Sequence, residues 1–129
     1  MRLRLALTVV ALVTVVVAGV LVARAGARAE VREIALVGRE MAFYEAGRRE
    51  GNPTLRVRAG ERVRLVLRNE TPGIVHDLAI DALRVAIGPL ETGGMAAVEF
   101  RAPERPGRYE YYCRPHALMM HGVLEVVAP

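Results

Sequence analysis

The stretch Arg62-Val63-Arg64-Leu65-Val66-Leu67-Arg68, followed by Asn69-Glu70-Thr71-Pro72-Gly73 and then by Ile74-Val75-His76-Asp77-Leu78-Ala79-Ile80, decides the fold. Along 62–68 charged and apolar residues alternate, so Val63, Leu65 and Leu67 share one face, the period of a half-buried strand. Five residues of turn chemistry follow, with Pro and Gly among them. A second short apolar run then begins, too short for a helix. The same rhythm continues outward in both directions. Residues 31–37, 55–58, 83–87, 95–101, 108–112 and 123–127 read as further short strands, with turns at 59–61 and 103–107. Gly88-Pro89 and Gly93-Gly94 bracket a loop. Residues 38–53 are less regular, with a short apolar piece at 41–44 and a surface loop at 47–53. No amphipathic helix of convincing length is present. About eight short strands over roughly a hundred residues is the spacing of a β-sandwich or barrel. Such strands bury their apolar faces only by packing two sheets together. The fold class is all-β.

The first residues lie outside that pattern. Arg2 and Arg4 open the chain, and residues 5–23 then run without a charge. This is a membrane-directing N-terminal hydrophobic helix, either a retained anchor or a cleaved signal peptide. Its length favours the anchor, whereas Ala25-Gly26-Ala27 and Ala27-Arg28-Ala29 suit a cleavage site. Residues 24–30 form a polar tether, and residues 31–129 form the domain, expected on the extracytoplasmic side. The formal net charge of +4 comes from Arg2, Arg4, Arg24 and Arg28. Residues 30–129 are neutral, with acids and arginines interspersed, and carry no electrostatic footprint for nucleic acid.

The chain has one cysteine, Cys113. An exported protein with a single thiol closes no internal disulfide, so that thiol is buried, paired between chains, or bound to metal. Its neighbours favour metal. Tyr109-Glu110-Tyr111-Tyr112-Cys113-Arg114-Pro115-His116-Ala117-Leu118-Met119-Met120-His121-Gly122 delivers a thiol from a strand and then offers imidazoles and thioethers within one loop. His76, behind the 69–73 turn, is the remaining histidine. A thiolate, two imidazoles and a weak thioether form the trigonal set suited to copper electron transfer. Zinc suits it less, because structural zinc sites favour more thiolates. A Cys–His nucleophile lacks an orienting acid and an oxyanion device, so no enzyme is expected.

Residues 31–127 resemble the cupredoxin (blue type 1 copper) family, plastocyanin/azurin-like. The resemblance rests on Pro106-Gly107-Arg108-Tyr109-Glu110-Tyr111-Tyr112-Cys113, on Cys113-x-x-His116, on Met120-x-Gly122, and on Asn69 upstream of His76-Asp77. It implies a Greek-key β-sandwich with one copper ion at one end, held by His76, Cys113, His116 and Met120. The family commonly carries Asn directly after the first histidine ligand, where this chain has Asp77. Cys113-x-x-His116 with His121 also gives a partial nitrosocyanin-like loop, which keeps His121 and Met119 open as axial or extra ligands; Met119 is otherwise read as core packing. Tyr109 and Tyr111 are read as strand-face packing.

The resemblance implies a copper cycling between Cu(I) and Cu(II) and shuttling single electrons between extracytoplasmic redox proteins. His116 would be the electron port, within an apolar collar of Pro115, Ala117, Leu118 and Met119, with Pro72, Ile74 and Pro89 contributing. If residues 5–23 are retained, the expected partner is a membrane respiratory complex. Two other readings use the same residues: a copper carrier or delivery protein, and a nitrosocyanin-like red copper protein.

Overall fold

The computed structural model describes residues 30–129. The expected hydrophobic helix, tether and anchor-or-signal assignment lie outside the described residues. Among the described residues no helix is long and apolar enough to cross a membrane.

Nine strands follow in order: β1 Val31–Arg39, β2 Ala42–Glu45, β3 Thr54–Arg58, β4 Arg62–Asn69, β5 His76–Ile80, β6 Val85–Leu90, β7 Met95–Arg101, β8 Gly107–Tyr112 and β9 His121–Val127. They form two sheets, β2-β1-β4-β7 and β3-β9-β8-β5-β6. β1 pairs in parallel with β4, Ile34 beside Leu65 and Leu36 beside Leu67, and all four side chains are buried. β3 pairs in parallel with β9 and sends Leu55 and Val57 inward beside Leu124 and Val126. The alternation read in 62–68 is therefore a true inside and outside: Val63, Leu65 and Leu67 are buried, Arg62, Arg64 and Arg68 exposed. Phe43 of one sheet meets Tyr111 of the other edge-to-face, ring centroids 5.5 Å apart. Edge-to-face contact sets the positive rim of one ring against the negative face of the other.

Tyr111 fixes a glycine. Its ring lies across Gly122, its partner on β9, and a Cβ there would overlap the phenol oxygen. The hydroxyl donates to the Pro53 carbonyl at 2.6 Å. The tyrosines read as packing residues are such: Tyr111 is wholly buried and Tyr109 packs partly buried on the core.

Three expectations need correction. Residues 40–45 hold a hairpin: β1 turns into β2 through Glu40 and Met41, both at positive φ (49° and 59°), without the glycine or asparagine that announces such a turn. Leu83 belongs to a single 3-10 turn, Asp81–Leu83, and the following strand runs on through Gly88 and Pro89. Proline is tolerated there because β6 is the outer strand of its sheet, where a missing N–H deprives no neighbour. The last strand begins at His121, two residues before the expected start.

Candidate metal centre

Sheet order gathers the site. β5 starts at His76, β8 ends one residue before Cys113, and β9 starts at His121. β8 pairs antiparallel with both neighbours, so these ends meet at one edge of the sandwich. His76 Nδ1 lies 3.7 Å and His116 Nδ1 3.3 Å from Cys113 Sγ. The imidazole rings sit 5.0 Å apart at 72°. One donor atom from each of the three residues falls within 4.8 Å of the others. Bonds of about 2.0–2.3 Å from a first-row metal to nitrogen and sulfur place three donors of a trigonal plane about 3.6 Å apart, so the cluster fits one ion.

A cage behind His76 chooses the donor nitrogen. His76 Nε2 sits 2.9 Å from Thr71 Oγ1, and that hydroxyl donates to the Gly38 carbonyl at 3.3 Å. With its one proton so used, Thr71 accepts from Nε2–H, and Nδ1 keeps the lone pair facing Cys113. Thr71 is held in turn by Asn69, wholly buried at the end of β4. The Asn69 amide donates to Ile74 O (2.7 Å) and Leu90 O (2.8 Å), and its Oδ1 accepts the Thr71 N–H (2.9 Å). Thr92 Oγ1 closes the turn from β6–β7 by donating to Thr71 O at 2.8 Å. Gly38 completes the cage, for a Cβ there would come within 3.2 Å of His76 Cδ2.

Asp77 ties the two ligand segments. Its Oδ1 accepts the Arg114 backbone N–H at 2.7 Å, and Oδ2 lies 3.7 Å from the Arg114 guanidinium. The carboxylate thus does by acceptance what an amide does in the pattern this chain resembles. Arg114 also reaches Asp81 Oδ1 at 3.0 Å.

Burial favours the neutral forms of His76 and Cys113. Burial, helped by the nearby His116, lowers the His76 pKa against the opposing charge of Asp77. Burial pushes the Cys113 thiol up, opposed by backbone N–H groups of Asp77 and His116 that point at the sulfur. A metal that binds here displaces the thiol proton, and the two N–H groups remain to stabilise the thiolate.

Of the other expected residues, Met120 is wholly buried in the same cluster as Cys113, whereas Met119 is 54 % exposed. Met119 is therefore not core packing. Its N–H closes a turn onto His116 O, and its side chain faces solvent while that of its neighbour turns inward. His121 is half exposed and points toward Glu110, Nδ1 to Oε1 3.5 Å. Thr71, Thr92 and Asn52, whose amide donates to the Met119 carbonyl, were not legible in the sequence. Asn69-x-Thr71 carries the signature of a local side-chain turn; the other two have no signal.

A two-sheet β-sandwich that closes one thiol and two imidazoles around a single point defines a mononuclear copper-binding class. The chain belongs to the plastocyanin/azurin family of copper binding proteins, whose family model matches residues 51–127; its cofactor is one copper ion, and the cluster of His76, Cys113 and His116 fits it. The fold is similar to that of reduced auracyanin from Roseiflexus castenholzii (18 % identity, 74 % of this chain and 97 % of that one, TM-score 0.61). It is similar also to auracyanin B (24 %, 74 % and 88 %, 0.59). A copper nitrite reductase from Nitrosomonas europaea shares the fold too (23 % identity, TM-score 0.62), but this chain spans only 42 % of its length while 77 % of this chain is covered. No curated protein sequence matches the chain.

Proposed function

We propose that the protein is a type 1 copper electron carrier that passes single electrons between extracytoplasmic redox proteins, with Met120 as the fourth, axial donor. The observation that supports it most is the setting of His116. Its Nδ1 faces the thiol, while the residue is only partly buried and is ringed by exposed Pro115, Ala117, Leu118 and Met119. Leu118 is 95 % exposed. An apolar collar round a ligand that reaches the surface suits brief docking through a small interface.

Copper supplies one-electron exchange between Cu(I) and Cu(II) when bound. The chain supplies rigidity: His76 is held by Thr71, the Cys113 strand by Asp77, and Met120 by burial, so little rearranges on a change of charge. Residues 5–23 serve in this proposal as a retained anchor or a cleaved signal, and a membrane respiratory complex is the partner if they are retained; the sequence is the support for both. The placement of His121 on the outer face argues against its use as a ligand, and so against a nitrosocyanin-like red centre. The copper carrier reading is distinguished by exchange.

The test is the spectrum of the copper-loaded protein. An intense band near roughly 600 nm is expected for trigonal copper–thiolate, and a dominant band near roughly 400 nm would refute it. Cys113→Ser should abolish the colour and leave the sandwich folded. Copper that leaves to a mild chelator within minutes would favour the carrier instead.

A further inference from the structure

Within the loop from Cys113 to His121 most bonds are internal. His116 O accepts the N–H groups of Met119 and Met120 (both 2.9 Å), and Cys113 N–H donates to Met120 O (3.0 Å). A loop bonded to itself holds its shape yet can shift as a body against the sheets. Two side chains from elsewhere bond to its backbone. One is Asp77, at the cysteine end. The other is Asn52, whose Nδ2 donates to the Met119 carbonyl at 2.7 Å across 67 residues of sequence.

Asn52 is itself firmly placed. Its backbone N–H donates to Phe43 O at 2.6 Å and its Oδ1 accepts the Phe43 N–H at 3.0 Å. It sits in the left-handed region at φ 52°, a conformation that asparagine tolerates better than most side chains. The next residue, Pro53, accepts the buried Tyr111 hydroxyl. Both ends of the Asn52 backbone are thus pinned to the core, and the amide nitrogen is left to reach the loop. The carbonyl it grips shares a peptide plane with the Met120 N–H, which His116 O holds from the opposite side. Gripped at both edges, that plane fixes the direction in which the Met120 side chain leaves the backbone.

We infer that Asn52 is a positioning residue for the centre: by holding the Met119–Met120 peptide it sets how closely the Met120 sulfur approaches the metal, and so tunes the reduction potential and colour. The inference rests on Met120 being the axial donor. Nothing in it requires Asn52 to touch the metal.

The experiment compares Asn52→Asp and Asn52→Gly, each alone and combined with Met120→Leu, in the copper-loaded full chain. Asn52→Asp keeps the acceptor for Phe43 N–H but sets a carboxylate oxygen against the Met119 carbonyl. Asn52→Gly frees the backbone conformation and removes both side-chain bonds, so it serves if the aspartate variant folds poorly. Both should raise the reduction potential in the direction of Met120→Leu and change the ratio of the bands near roughly 450 and 600 nm. Copper should leave to a chelator about tenfold faster, at the low end of the effect expected for a residue that orients a metal ligand. In the Met120→Leu background the same changes should have no further effect on potential or band ratio, because Asn52 acts through Met120. A blue parent whose potential and band ratio are unmoved by both variants overturns the assignment. So does a shift that survives in the Met120→Leu background. A parent without the band near roughly 600 nm overturns the type 1 reading itself, and this inference with it.

Discussion

Thr71 shows how one hydroxyl can decide a donor set. Buried, and bonded to both His76 Nε2 and the Gly38 carbonyl, it makes Nδ1 the free nitrogen. Thr71→Val keeps the shape and leaves the His76 Nε2–H without its acceptor, while the Gly38 carbonyl keeps the Glu70 N–H at 2.9 Å. The expected loss is about 1–3 kcal/mol of unfolding free energy and about 10–100-fold in copper affinity, read by urea unfolding and chelator competition; Thr71→Ser should restore most of both. Undiminished affinity in the valine variant would show that the ring is oriented without it. Gly122 makes the complementary case. Gly122→Ala drives a methyl into Tyr111, whose ring lies between Phe43 and the Pro53 carbonyl, and should cost about 1–3 kcal/mol through overpacking. Tyr111→Phe leaves the ring and removes one buried hydrogen bond, so its cost, about 1 kcal/mol, should be the smaller in thermal unfolding. Reversed order would mean that the hydrogen bond from Tyr111 to Pro53 contributes more than the close packing of the phenol on Gly122.

At the scale of elements, legibility follows from whether a signal is local. The strand at 62–68 is an unambiguous alternation, and Cys113-x-x-His116 with Met120-x-Gly122 carries both its chemistry and its spacing in a single loop. His76 was legible from the scarcity of histidines, from its place behind the 69–73 turn and from the family-like Asn69 before it, since the sheet order that brings β5 beside β8 is nowhere written in the residues around it. The Glu40–Met41 turn is not legible because its positive-φ residues are neither glycine nor asparagine, and the strand read at 83–87 is stopped too early because Gly88-Pro89 reads as a breaker wherever edge position is unknown. The tie between β5 and the ligand loop belongs to the same scale. Asp77 was legible as a departure from the asparagine of related proteins, but not as a working substitute. Asp77→Ala leaves the Arg114 N–H without its acceptor and should cost about 1–3 kcal/mol, whereas Asp77→Asn, which keeps an acceptor oxygen, should cost far less. Arg114→Ala retains the backbone bond and gives up the ion pairs of a half-exposed guanidinium, with the exposed Asp81 at 3.0 Å and more loosely with the buried Asp77 at 3.7 Å, worth about 0–1 kcal/mol. If the arginine variant proves the most damaging of the three in urea unfolding, the backbone bond is not the tie.

Across the whole described domain, most of the core is apolar packing that needs no metal. Cys113 and Met120 join a single buried cluster in which Val63, Leu65, Leu67, Leu78, Ile80 and Leu124 supply the bulk, and the outer faces are laced by neutralising pairs such as Arg64 with Glu33 and Arg56 with Glu125. Removing copper should therefore leave the β-sandwich folded, with lowered stability because the ion binds only the assembled site. The metal-free form should carry a pH dependence that the copper form lacks. Burial and the neighbouring His116 depress the His76 pKa on folding, so the unfolded chain binds the proton more readily. The stability His76 contributes as a neutral ring is fully present above its unfolded value of about 6.5 and is lost as pH falls from there through the folded value. Copper on Nδ1 blocks that protonation until the metal leaves. The urea midpoint of the metal-free protein should therefore fall between pH 7 and pH 5, the copper form should hold nearly level over the same interval, and His76→Asn should flatten the metal-free curve. Equal slopes in the metal-free parent and the His76→Asn variant would place the acid sensitivity in the carboxylates, and would mean that the histidine is as easily charged in the folded domain as in the unfolded chain.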